Sequence, residues 1–166
     1  MRPASCWSPS PNYKKVDNGA ARSIKCIILH ATATKGLESP LKWLCSPESK
    51  VSAHYLIDED GKIFNLVDEQ NVAWHAGAAE WKGLKNINAA SIGIEMVHPN
   101  DGKTPWAASQ VSVCAELCAC ICKDYQLPQA FVVSHAEVAM PPGRKNDPLC
   151  FPWETFRTLL KEEGIE

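Results

Sequence analysis

Five side chains in this 166-residue sequence have types and positions that could cooperate in chemistry: His30, Glu95, His135, Lys145 and Asp147. His30 closes the apolar run "CIILH" and His135 closes "FVVSH". In open α/β sheets, ligand sites gather outside the carboxyl ends of strands. If these two strands are neighbours, two imidazoles meet there. Asp147, twelve residues after His135 and beyond a Pro-Pro-Gly turn, could bring a carboxylate to the same spot. Two histidines and one carboxylate, with a fourth position open to water, are what a hydrolytic zinc site needs. Each residue also has an ordinary reading. A strand-end histidine is commonly a hydrogen-bonded structural group, and an aspartate before Pro148 suits a turn.

Glu95 sharpens the first reading. In "SIGIEMV" the alternation puts Ile92 and Ile94 on one face and Gly93 and Glu95 on the other. A carboxylate inside an apolar strand is costly to bury unless it is paired or faces a solvated pocket. Gly93 beside it leaves room for a substrate to approach the backbone. An exposed strand face could equally carry this glutamate, and Lys145 could be a surface lysine in a turn. Trp74 and His54 read as buried packing. The loop pair Trp74–His75, with Trp81 following, could instead grip a sugar or peptide beside a cleft. His98, before Pro99, reads as a surface loop residue.

The elements that must position these residues follow from pattern. "SIKCIILH" is an unalternating apolar run that fits a strand buried on both faces. "AHYLIDEDGKIFNLV" reads as a hairpin around Asp58-Glu59-Asp60-Gly61. "SIGIEMV" and "QAFVVSH" are further strands. Ser39-Pro40 starts a short helix, Thr104-Pro105 a long one through Tyr125, and Pro152 a closing one that stops before Gly164. Val111, Ala115, Cys118 and Cys122 form the long helix's inward stripe. Strands interleaved with helices predict a single α/β domain with a mixed sheet. Residues 1–22 are expected to form an extended, Pro-rich lead-in and residues 23–166 the domain proper, and no separate wall-binding domain is expected.

The bulk numbers narrow the function. A net charge of −2 gives no electrostatic reason to expect nucleic acid or an anionic membrane as partner. No apolar stretch approaches the roughly 20 residues of a membrane span. "MRPASCWSPSPNYKK" has no continuous apolar segment of the signal-peptide kind, so the chain is expected to be made in the cytosol or to have lost an export signal. The eight cysteines include Cys114, Cys118 and Cys122 at four-residue intervals, with Cys120 between them. With no paired C-x-x-C knuckles, they read as small apolar core residues of a reduced chain.

The ordered set "IILHATAT", "SAHYLIDEDGKI", "VAWHAG", "NAASIGIEMV" and "SHAEVAMPPGRKNDP" resembles the zinc-dependent N-acetylmuramoyl-L-alanine amidases of the type 2 family, which share their fold with peptidoglycan recognition proteins. The likeness runs from Ile24 to Phe156. It implies a central mixed sheet of five or six strands flanked by helices. It also implies a Zn2+ ion on His30, His135 and Asp147, Glu95 as the catalytic acid–base, and Lys145 as an oxyanion-stabilising cation. Some relatives carry Cys at the last ligand position and Tyr just ahead of the hairpin histidine. Asp147 and Ala53 stand there in this chain, grouping it with the Glu-using amidases, and Ala31 replaces a bulkier residue after the first ligand. The implied reaction is hydrolysis of the amide between N-acetylmuramic acid and L-alanine of the peptidoglycan stem peptide, by a monomer. A phage endolysin released through a holin is the preferred role. An anhydro-muropeptide recycling enzyme is the alternative. Two rivals remain: a non-catalytic muropeptide-binding module, and a protein whose histidines are structural and whose cysteine-rich helix is an interaction surface.

Overall fold

The structure is a computed structural model that describes residues 2–16 and 21–166; Met1 and residues 17–20 of the expected lead-in lie outside the described residues. The two most apolar runs form the centre of a sheet. Cys26–Ala31 (β3) and Ser91–Met96 (β7) pair in parallel along their full length, with Cys26 opposite Ser91 and His30 opposite Glu95. Val132–Ser134 (β8) pairs in parallel with β3 on its other side. The predicted hairpin is present as Tyr55–Ile57 (β4) and Ile63–Asn65 (β5), and β4 lies parallel to β7.

The lead-in does more than precede the sheet. Ser5–Trp7 (β1) pairs in parallel with β5, giving a six-stranded order of β1-β5-β4-β7-β3-β8. Tyr13–Lys14 (β2) and Val72–Ala73 (β6) make a separate antiparallel ribbon. One antiparallel step, β4–β5, in an otherwise parallel sheet is the mixed α/β architecture that the element pattern predicts.

Strand alternation divides the sheet into two faces. Ile27, Leu29, Ile92, Ile94 and Met96 face Ala108–Tyr125 (α2) and Trp153–Glu162 (α4). Val111, Ala115, Cys118 and Cys122 of α2 are buried in this layer, as the stripe implies. Burial pushes the Cys122 thiol up to about 11, so it packs as an apolar group. The helix starts later than Thr104 because Thr104 is already engaged. Its hydroxyl donates to Asp101, whose carboxylate also accepts the Lys103 and Thr104 N–H groups. His98 is not the surface residue expected: it is 3 % exposed and stacked on Trp106 at 3.8 Å.

The opposite face is covered in patches. Glu38–Leu44 (α1) sits over Leu56 and Phe64, while Ala76, Ala79, Ile87 and Val138 cover Cys26, Ile28 and Val133. His30 and Glu95 belong to this same face, at the carboxyl ends of β3 and β7. They sit where the two apolar patches leave an opening.

Candidate metal centre and cleft

The three proposed ligands reach one point by different local devices. His30 is the penultimate residue of a fully buried strand, so its backbone is fixed on both sides. His135 does not close a strand, as expected; it is the first residue of the short helix His135–Val138 (α3). Ser134 caps that helix by accepting the Glu137 N–H at 3.1 Å, and Glu137 in return accepts the Ser134 N–H at 2.8 Å. This is the S-x-x-E signature of a capping box, present in "SHAE". Asp147 arrives at the end of the Pro-Pro-Gly turn. Arg144 pins that turn by donating to the carbonyls of Met140, Ala76 and Ala78.

His30 Nδ1 and His135 Nδ1 are 3.0 Å apart, and Asp147 Oδ2 lies 3.1 Å from the His135 nitrogen and 3.6 Å from that of His30. Among the described residues, these form the one cluster of three metal-binding side chains. Donors about 2.0–2.1 Å from a tetrahedral metal would be roughly 3.3 Å apart, so the spacing fits such an ion. The electrostatics agree. His135 Nε2 lies 3.1 Å from the Ala76 carbonyl and must donate to it, so a neutral ring presents a bare Nδ1 to the centre. Burial lowers the His30 imidazole to about 4, against the opposing pull of Asp147. Burial would raise Asp147, but the adjoining His135 and His30 rings outweigh it and hold the carboxyl well below the usual range. At 3.1 Å a carboxylate and a bare nitrogen repel unless a ring proton or a metal ion joins them, and a bound metal would take the proton's place.

This cluster lies on the floor of a cleft of about 380 Å³ whose lining includes His30's neighbours Ala31 and Thr32, together with Trp74, Glu95, Lys145 and Asp147. Glu95 is half-buried, and its Oε2 is buried with no hydrogen-bond partner among the described residues. Burial and the Asp147 charge raise its carboxyl to about 8, with Lys145 opposing them. Trp74 is 37 % exposed at the cleft wall, not the buried packing residue that one reading expected.

Three expectations about the cleft change. His75 touches the cleft but is 8 % exposed, and both ring nitrogens are engaged within the protein, by His30 and Ser91. It has no free polar atom for a substrate. Gly93 leaves room not for substrate but for the His75 ring: a Cβ there would lie 2.4 Å from His75 Cγ. Trp81 lies outside the cleft lining and packs edge-on against Phe131 at 5.0 Å. Three groups to which the sequence assigned no role help build the site: Ser91, the Ser134–Glu137 box and Arg144.

Comparison with known proteins agrees with this geometry. The family model described as N-acetylmuramoyl-L-alanine amidase matches residues 20–150. N-acetylmuramoyl-L-alanine amidase AmiD of Escherichia coli K12 is 35 % identical over 157 residues, covering 86 % of this chain and 54 % of AmiD. The 1,6-anhydro-N-acetylmuramyl-L-alanine amidase AmpD of Haemophilus influenzae is 34 % identical over 69 % of this chain and 61 % of its own length. Amidase A of Achromobacter lyticus is 35 % identical over 95 % of this chain and 94 % of its own. The chain thus spans about half the length of AmiD. Among solved structures, the selenomethionine derivative of AmpD superposes with a TM-score of 0.79 at 25 % identity, covering 94 % of each chain. AmiD from E. coli, in complex with the substrate anhydro-N-acetylmuramic acid-L-Ala-D-gamma-Glu-L-Lys, gives 0.74 at 32 %, covering 91 % of this chain and 61 % of AmiD. A mutant endolysin from Bacillus subtilis shares the fold at 0.67 and 23 %, covering 95 % and 98 %. With the family model spanning most of its length and a full-length relative at 35 % identity, this chain belongs to the N-acetylmuramoyl-L-alanine amidase family.

Proposed function

We propose that the protein is a zinc-dependent amidase that cleaves the bond between N-acetylmuramic acid and L-alanine in small anhydro-muropeptides. The observation that carries this reading is the convergence of His30 Nδ1, His135 Nδ1 and Asp147 Oδ2 on a cleft floor that also holds a Glu95 oxygen with no partner among the described residues. His30, His135 and Asp147 would hold the zinc. Bound zinc supplies Lewis acidity, bringing the pKa of water from about 15.7 toward roughly 7 and so giving a nucleophile near neutral pH. With a cation balancing the Asp147 charge that helps to hold its carboxyl high, Glu95 takes the proton of the attacking water and returns it to the leaving L-alanine amine. Lys145, exposed at the cleft rim, turns its ammonium toward the oxygen on which negative charge develops. Trp74 offers an apolar ring face to the sugar or peptide.

The substrate preference moves away from the endolysin role expected first. Several relatives at 33–34 % identity are named 1,6-anhydro-N-acetylmuramyl-L-alanine amidases, and the AmiD complex contains an anhydro-muropeptide. The likenesses to endolysins, at 23 % identity or below, carry the fold alone. A non-catalytic binding module would leave the facing acceptors of the cluster without a purpose.

The test is product analysis by mass spectrometry, using anhydro-muropeptides and intact sacculi with and without a chelator. Free peptides beginning with L-alanine should appear from the small substrate, and chelation should abolish them. Glu95→Gln should lower turnover by about 10²- to 10⁴-fold with zinc still bound. Efficient digestion of sacculi with the anhydro-muropeptide untouched would return the endolysin reading.

A further inference from the structure

A hydrogen-bonded file crosses the site face of the sheet and ends on His30. Ser91 Oγ lies 2.7 Å from the Ile87 carbonyl oxygen and 3.2 Å from His75 Nε2. His75 Nδ1 lies 2.9 Å from His30 Nε2. Ser91 and His30 are at most 1 % exposed and His75 is 8 % exposed, so water has little access to the file.

Its hydrogens follow by elimination. A carbonyl can only accept, so the single hydroxyl proton of Ser91 goes to Ile87. His75 Nε2 must then donate to Ser91 Oγ. His75 is buried, and its ring nitrogens meet His30 and Ser91, neither of which would balance a positive charge, so the ring carries one N–H. Its Nδ1 is therefore an acceptor, and His30 Nε2 must donate to it. A neutral His30 is left with a bare Nδ1, the atom that faces His135 and Asp147. The reverse order would set a bare His75 Nε2 against a hydroxyl whose proton is already committed.

We infer that Ser91 and His75 are positioning residues that fix the tautomer and ring orientation of His30, so that Nδ1 is presented ready to bind a metal. Metal-ligating histidines usually give their second N–H to a carboxylate, carbonyl or water. Here the acceptor is a second imidazole, itself oriented by a serine, and Gly93 supplies the space in which that imidazole lies. The inference rests on His30 being a ligand, as proposed above. The order of hydrogens along the file can be read without metal.

The experiment is nitrogen-15 NMR of the imidazoles in the metal-free protein, together with zinc affinity by chelator competition. In the unmodified protein, His75 should carry its proton on Nε2 and His30 should carry one on Nε2. Ser91→Ala should populate the Nδ1–H form of His75 and weaken zinc binding by about ten- to a hundredfold. His75→Asn, whose amide oxygen can stand in for Nδ1, should retain most of the affinity that His75→Leu loses. A merely structural role would make the two His75 substitutions equivalent. The inference is overturned if His75 in the unmodified protein carries its proton on Nδ1, a result that needs no variant to fold. It is also overturned if Ser91→Ala and His75→Leu bind zinc like the unmodified protein. If the expected tautomers are found but zinc does not bind, the metal-centre reading fails and the hydrogen order of the file stands.

Discussion

Acidification of the metal-stripped protein should destabilise it along a slope in which His54 has a measurable share. His54, just ahead of β4, is fully buried. Its Nδ1 accepts the Gly93 N–H at 3.0 Å, so its single proton sits on Nε2, which donates to the Asn71 carbonyl at 3.1 Å. The Arg22 guanidinium lies 3.0 Å from the same Nε2. A second proton would have to displace the Gly93 bond and would create a cation beside a buried cation. Burial first, and Arg22 second, therefore lower His54 from 6.5 to about 3.

The unfolded chain takes up that proton near pH 6.5 and the folded chain does not, so the contribution is fully present above pH 6.5 and is lost as pH falls toward 3. Each unit of pH in this window costs about 1.4 kcal/mol, or about 2 kcal/mol by pH 5. For a domain stable by roughly 5–15 kcal/mol this is a large fraction. Urea unfolding in the presence of a chelator, at pH 7, 6 and 5, should be compared with His54→Asn, which keeps an acceptor for Gly93 but cannot titrate. The variant should be less stable at pH 7, yet lose stability more slowly below pH 6, by about 1.4 kcal/mol per unit. Parallel stability–pH lines for the two proteins would refute the assignment of a locked, neutral His54.

Other perturbations separate the site from its scaffold. Lys145→Ala should reduce kcat by about 10²- to 10³-fold while zinc content, read by metal analysis, stays at one ion per chain. Trp74→Ala should raise KM with little change in thermal stability. Trp81→Ala should do the opposite, lowering stability by about 2 kcal/mol through lost packing on Phe131 without changing KM. Gly93→Ala should cost about 3 kcal/mol and weaken zinc binding, since the added carbon would drive the His75 ring off His30; denaturation and chelator competition read the two effects separately.

Much of the fold was legible because it rests on local patterns. The unalternating run ending at His30 and the alternating run "SIGIEMV" became the central parallel pair, and Asp58–Gly61 became the hairpin turn. What escaped the sequence depends on partners far along the chain. Ser5–Trp7 reads as a Pro-flanked lead-in because nothing local reveals β5 as its neighbour. Arg22 resembles any lead-in cation, yet it donates to the carbonyls of Glu69, Asn71, Asn88, Ala89 and Ser91 and braces the loops around His54. His98 looked exposed until Trp106 stacked on it. His75 is the clearest case. Its motif marked it as important, but whether it points to substrate or to another histidine depends on the missing side chain of Gly93, in the next strand along the chain.

The site face of β7 shows why the register between β3 and β7 matters for function as well as for stability. Along that face, at a period of two, stand Ser91, Gly93 and Glu95, opposite Cys26, Ile28 and His30 of β3. Ser91 sets the hydrogen order of the file, Gly93 makes room for the imidazole that transmits it, and Glu95 brings the carboxyl beside the strand end that carries His30. The intervening Ile92, Ile94 and Met96 pack under α2 and α4. A slip of one residue would turn those three large apolar side chains into the cleft and bury the serine and the glutamate in the core. The apolar packing on one face thus fixes, through the strand's alternation, the alignment of polar groups on the other. Substitutions that shrink Ile92 or Ile94 should consequently loosen the metal site without touching it.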